Sequence, residues 1–199
     1  MFKKPYVITT FMLILLVSFL LFTGYWGIWM KGMSYILESP QKYKNIHTSI
    51  LEEEFSVEVN LLDLDSNVGK KIYDDGACWI YIESIDWRED NNRTEYRVFF
   101  RSVGNYSIKG AELVTGIKYD YNEDGSHVMD VGAKMHTVHK ETRYNLEVSG
   151  YTPLGYKNGD SFGFYIFPSS DHTKGDDFIK TLDTITVTLT GLHKYVWGK

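Results

Sequence analysis

Cysteine is nearly absent from this chain of 199 residues. Cys78 stands alone, so no internal disulfide can form and a hydrophobic core has to hold the fold. No H-E-x-x-H pair and no P-loop occurs, which removes the commonest zinc-protease and nucleotide-phosphate signatures. Internal repeats and low-complexity tracts are missing, and no stretch beyond residue 46 carries a helical stripe of apolar residues. Charge is also missing from Pro5 through Met30, and that gap is the most informative of all.

The uncharged run follows Lys3 and Lys4 and is long enough to cross a bilayer as one helix, for which about 20 apolar residues suffice. Two lysines before the run and only Lys31 directly after it favour a cytoplasmic N-terminus (residues 1–5), a signal anchor over 6–30 and an exterior remainder. Tyr25, Trp26 and Trp29 gather at the far end, where amphipathic rings prefer the headgroup layer. A cleaved signal peptide is the alternative. It needs small residues at alternate positions before the cut, and in "FTGYWGIWM" each small residue has an aromatic partner there. Residues 31–46, with mixed charge and Pro40, read as a juxtamembrane linker. All 26 acids lie beyond Lys31 against 18 of the 21 Lys and Arg, a net −8 that argues against nucleic acid as a partner.

From residue 47 to 199 the period changes to two. Phe55, Val57 and Val59 alternate with polar residues, as do Ile185, Val187 and Leu189 among threonines, which is the pattern of strands with one wet face. "CWIYIESIDW" and "YRVFF" are apolar on both faces and suit central strands. With turn-rich pieces between them, these segments imply an all-β domain, an antiparallel sandwich of about eight strands. The run "RVFFRSVGNYSIKGAELVTGIKYDYNEDGSHV" resembles the core of the FxLYD-type immunoglobulin-like domains of bacterial envelope proteins, through Gly104, Asn105, Ser107, Tyr119, Asp120 and Gly125. That resemblance implies an envelope-exposed immunoglobulin-like sandwich and brings no catalytic residue with it.

Candidate chemistry is sparse. Asp120, Asn122 and Asp124, followed by Gly125, begin like an EF-hand calcium loop. The twelfth position is Val131 where a bidentate Glu belongs, and Ile117, Tyr119 and Tyr121 alternate as a strand does, so a β-hairpin turn is the expected structure. His136 and His139 stand three apart, which on a strand sends them to opposite faces. His172 lies in a polar loop, and Cys78 in an apolar strand has the setting of a small buried hydrophobe. Trp79, Tyr81 and Trp87 fall on one face of a regular strand, either as core or as an aromatic platform for a ligand such as a sugar. Asn92 and Asn105 fit the glycosylation sequon.

The expectation is a single-pass cell-membrane protein whose exterior β-sandwich binds an envelope protein or a cell-wall polymer without catalysis. A carbohydrate-binding or carbohydrate-active domain and a calcium-stabilised adhesin-like module are the alternatives, and no cofactor other than calcium is implied. N-terminal sequencing of the mature protein checks the anchor: an uncleaved chain retains the Met1 end, whereas a chain starting near Ile28 would be a secreted protein.

Overall fold

The uncharged run forms helix α1, Lys4–Thr23, in a computed structural model that describes residues 4–90, 93–121, 127–139, 142–166 and 183–199. The helix does not continue to residue 30 as expected. Gly24 takes φ 83°, a left-handed conformation that glycine adopts without steric cost, and helix α2, Tyr25–Lys31, departs at 71°. No single helix among the described residues is long and apolar enough to cross a membrane; the bent pair Ile8–Thr23 and Tyr25–Lys31 is, by length and composition. Phe11, Leu13, Phe19 and Phe22 of α1 are all exposed.

Residues 31–46 are not a linker. Gly32 ends α2 with φ 61° and leads into helix α3, Met33–Leu37, whose Met33, Ile36 and Leu37 are buried in the same core as the β-sheets. The Met33 amide donates to the Lys157 carbonyl at 2.7 Å, and the Ser34 hydroxyl to that of Leu154 at 3.2 Å. Tyr43, also buried, donates to the Ile108 carbonyl, and strand β1, Lys44–Ile50, starts directly after it.

Fifteen strands follow among the described residues, where about eight were expected. Those after β1 are β2 (Phe55–Asn60), β3 (Lys71–Asp74), β4 (Trp79–Asp90), β5 (Arg93–Val103), β6 (Asn105–Ser107), β7 (Gly110–Thr115) and β8 (Ile117–Tyr121). Then come β9 (His127–Val131), β10 (Lys134–His139), β11 (Thr142–Leu146), β12 (Val148–Tyr156), β13 (Gly159–Tyr165), β14 (Thr184–Thr190) and β15 (His193–Gly198). Two of the extra strands arise where glycines divide single sequence runs, Gly116 separating β7 from β8 and Gly132 separating β9 from β10, and the other five are β1, β3, β6, β12 and β15.

The strands form one five-stranded sheet, β12-β13-β5-β4-β3, two four-stranded sheets, β1-β15-β7-β6 and β11-β10-β14-β2, and the hairpin β8-β9. All these pairings are antiparallel, so the all-β class is as expected. One continuous core joins Ile80, Ile82, Val98, Phe100, Phe162 and Phe164 of the five-stranded sheet to Leu113, Tyr195 and Trp197 of the second sheet and Met135, Val187 and Leu189 of the third. Strand β7 packs across the five-stranded sheet, with Gly116 against the Phe162 ring and the Cys78 thiol facing the Glu112 carbonyl at 3.5 Å.

Gly32→Ala is expected to detach α3 from the sheets, since a Cβ there runs into the Lys157 carbonyl and the backbone conformation alone costs an L-residue ~1–3 kcal/mol. Hydrogen exchange should speed up selectively over residues 28–37; protection equal to that of the unsubstituted chain would refute the docking.

Candidate functional site

The outer face of the five-stranded sheet brings together the polar and aromatic groups most suited to binding. Along β5, Val98, Phe100 and Ser102 point to the core, so Arg97, Phe99 and Arg101 point outward, as alternation requires. Arg101 lies opposite Tyr81 of β4 and Ser161 of β13 in the pairing register. Its guanidinium stacks 3.1 Å from the Tyr156 ring centroid, donates to Asn158 Oδ1 at 2.9 Å and stands 3.7 Å from Glu83. Glu83 accepts from the Tyr156 hydroxyl at 2.6 Å and from Ser161 Oγ at 2.8 Å, and the first of these bonds raises the Tyr156 pKa. Beside them Asp86 holds Arg97 through two bonds of 2.8 and 2.9 Å.

Trp79 and Tyr81 lie half-buried on this outer face, and the Lys71 ammonium sits 5.6 Å from the Trp79 ring. Trp87 does not join them. A β-bulge between Ile82 and Ser84 sets an extra β4 residue against β5 and reverses the alternation beyond it. Ile85 therefore enters the core opposite Val98, and Trp87 follows it on the inner phase, opposite Tyr96 and 58% exposed past the end of the core. The sequence places all three rings on one face only if the strand is regular.

Asp120 sits on β8, whose antiparallel pairing with β9 makes the expected hairpin. Its carboxylate pairs with Lys118 at 2.7 Å, while Asn122 and Asp124 lie outside the described residues, as do Asn92 and His172. No group of three His, Cys, Asp or Glu able to hold a metal ion occurs among the described residues. His136 is buried on strand β10 beside Arg143, 3.1 Å from its Nδ1, and burial lowers its pKa. Burial pushes the Cys78 thiol up to about 11, which keeps it protonated and unsuited to attack.

Two features escaped the sequence reading. Residues 159–163, "GDSFG", have the G-x-S-x-G spacing of a nucleophile elbow, but they lie within β13, and Ser161 donates to Glu83. An elbow needs a strand-to-helix turn that lifts the serine out of the sheet, and mid-strand pairing with β5 and β12 prevents that here. The second feature is Asp160, fully buried between layers, which accepts from Thr115 Oγ1 and from the Tyr119 hydroxyl, both at 2.7 Å. Burial raises its pKa to about 6. Arg101 and the Glu83 cluster were equally invisible, because Glu83, Arg101, Tyr156 and Ser161 meet only through long-range pairing.

Comparison with known proteins places nothing beside this chain: no family model, no curated protein and no solved structure matches it. The site is therefore read from its own geometry.

A raised carboxyl pKa means that Asp160 stabilises the fold most below its unfolded value near 4, and that this contribution falls as pH rises through about 6. The displacement corresponds to about 3 kcal/mol. Asp160→Asn, whose amide does not ionise, should lose most of the drop in urea midpoint between pH 4.5 and 7.5. Superimposable pH profiles for the two proteins would show that Asp160 does not titrate in this range.

Proposed function

We propose that the chain is a membrane-anchored β-domain that binds a partner and carries out no catalysis. The observation that carries this reading is the unburied surface of α1, where Phe22 is 88% exposed and Phe11, Leu13, Ile14, Leu16 and Phe19 are exposed as well. A bilayer removes such a surface from water, and the bent pair α1–α2 has the length and composition for it. The lysines at positions 3 and 4 put the N-terminus in the cytoplasm and the β-domain outside the cell. With the packed antiparallel sheets, this fits the immunoglobulin-like envelope domains that the central run resembles.

The outer face of Trp79, Tyr81, Glu83, Arg101 and Tyr156 is the binding surface in this reading. Aromatic rings and arginine dominate recognition surfaces because they offer large contact area with a polar handle. A partner there is an envelope protein or a cell-wall polymer. Carbohydrate is the favoured polymer chemistry, since two half-buried rings share the face with a carboxylate and a guanidinium. Calcium has less support: Lys118 already neutralises Asp120.

Three measurements test the proposal. Protease added to intact cells should remove the β-domain and leave the anchor in the membrane. In sedimentation with purified insoluble cell-wall polymer, Trp79→Ala/Tyr81→Ala should bind roughly tenfold more weakly, the loss of about 1.4 kcal/mol of ring contact. Site-specific photo-crosslinking in intact membranes covers a protein partner: a crosslinker at Tyr81 should capture one that a crosslinker at Thr142, on the edge of a different sheet, does not. Equal results from both sides, with unchanged sedimentation, would remove the outer face from consideration.

A further inference from the structure

Helix α2 exposes a face for which the β-domain has no use. Tyr25, Trp26, Trp29 and Met30 are exposed, Trp29 to 65%, and the Trp26 and Trp29 rings lie 5.4 Å apart. The opposite side is engaged, with Ile28 buried and Gly27 packed on the Tyr35 ring. Lys157 donates to the Trp29 carbonyl at 2.8 Å, and its ammonium lies 5.9 Å from the centroid of the Trp29 ring, at the edge of the exposed face. Spacings of three and four residues put the exposed rings on one side of a helix. A two-sided helix of this kind separates the β-domain from whatever covers its aromatic face.

We infer that α2 lies in the outer headgroup layer of the membrane that α1 enters, and that it clamps the β-domain against the lipid surface in one orientation. The inference rests on the anchor reading above. Two quantities single out the bilayer as occupant. The uncharged part of α1, residues 5–23, rises ~28 Å at 1.5 Å per residue, about the ~30 Å depth of the hydrocarbon layer. The headgroup layer then begins at α2, where three of the five exposed side chains are Tyr or Trp, the residues that partition to the interface. The 71° bend then turns α2 close to the membrane plane when α1 stands near the normal, so the aromatic face meets lipid along its whole length. A continuous straight helix would carry Trp26 and Trp29 out of the membrane or the α1 residues too deep.

The docking is stiff because it uses backbone. Gly32 sits against the Lys157 carbonyl, Met33 bonds it, and Ser34 bonds Leu154, so the turn between β12 and β13 faces the bilayer. Leu154, at the irregularity of β12 between Thr152 and Tyr156, holds a left-handed φ of 40°, a strained conformation, and its side chain packs against the core. In this posture the outer face of the five-stranded sheet, which shares Tyr156 and Asn158 with the same turn, begins next to the membrane.

The test uses the full chain reconstituted into phosphatidylcholine:phosphatidylglycerol vesicles at low protein-to-lipid ratio, with lipids brominated either near the headgroup or near the chain ends. Tryptophan emission of the unsubstituted protein should be quenched most by bromine near the headgroup, and Trp26→Phe/Trp29→Phe should lose that quenching while still floating with the vesicles. Stronger quenching from chain-end bromine overturns the in-plane posture and leaves the anchor intact. A blue-shifted emission that neither lipid quenches assigns the face to a second copy or another protein and also overturns it. Failure to float with vesicles removes the anchor and this inference together.

Discussion

Burial of Met33, Ile36 and Leu37 in the core of the β-sheets is the interaction on which the arrangement of this molecule depends. Three apolar side chains on a five-residue helix gain little from helix formation alone, since so short a helix is not stable by itself in water. They are held by tertiary packing, and once held they fix α2 through Gly32 and, through the bend at Gly24, the direction of α1. A segment that composition presents as a flexible tether is thereby a rigid joint. The posture of the β-domain relative to the apolar helix follows from that joint and not from the strands.

Inside the domain a second constraint acts between layers. Asp160 on β13 receives hydroxyls from Thr115 on β7 and Tyr119 on β8, so one carboxyl ties the five-stranded sheet to two other elements. The Tyr119 amide in turn donates to the Tyr195 hydroxyl, which lies in a stack with His193 and Trp197 along β15. Hydrogen bonds satisfy the buried polar atoms, while the charged form of the carboxyl remains penalised by its surroundings. On the opposite face of the same sheet Glu83, half-buried, instead meets Arg101, Tyr156 and Ser161 at the surface. The two carboxylates differ in role because the sheet separates a dry side from a wet one.

Strands with clean alternation were legible. Phe55–Asn60 and Thr184–Thr190 formed where period two placed them, and they pair with each other as edge and inner strand of one sheet. The pairing of β8 with β9 was legible for the same reason, since both flanks of Asp120 alternate. Strand β15 was missed: its buried positions, His193, Tyr195 and Trp197, alternate correctly, but a histidine in the first core position hides the pattern. The face of Trp87 was misjudged because one inserted residue at the Ile82–Ser84 bulge shifts everything after it to the other side.

The sequence by itself determined the all-β class, the acidic exterior of the domain and the existence of one long uncharged apolar run, because each depends on composition or on a period of two or three to four residues. Tertiary structure alone decided that Met33, Ile36, Leu37 and Tyr43 join the core, that the apolar run bends, and that Glu83, Arg101, Tyr156 and Ser161 form one cluster. Those outcomes turn on contacts between residues far apart in the chain, such as Ser161 with Glu83 and Met33 with Lys157. Local spacing carries no record of them, since the free energy that selects one pairing over another appears only when the sheets close around a common core.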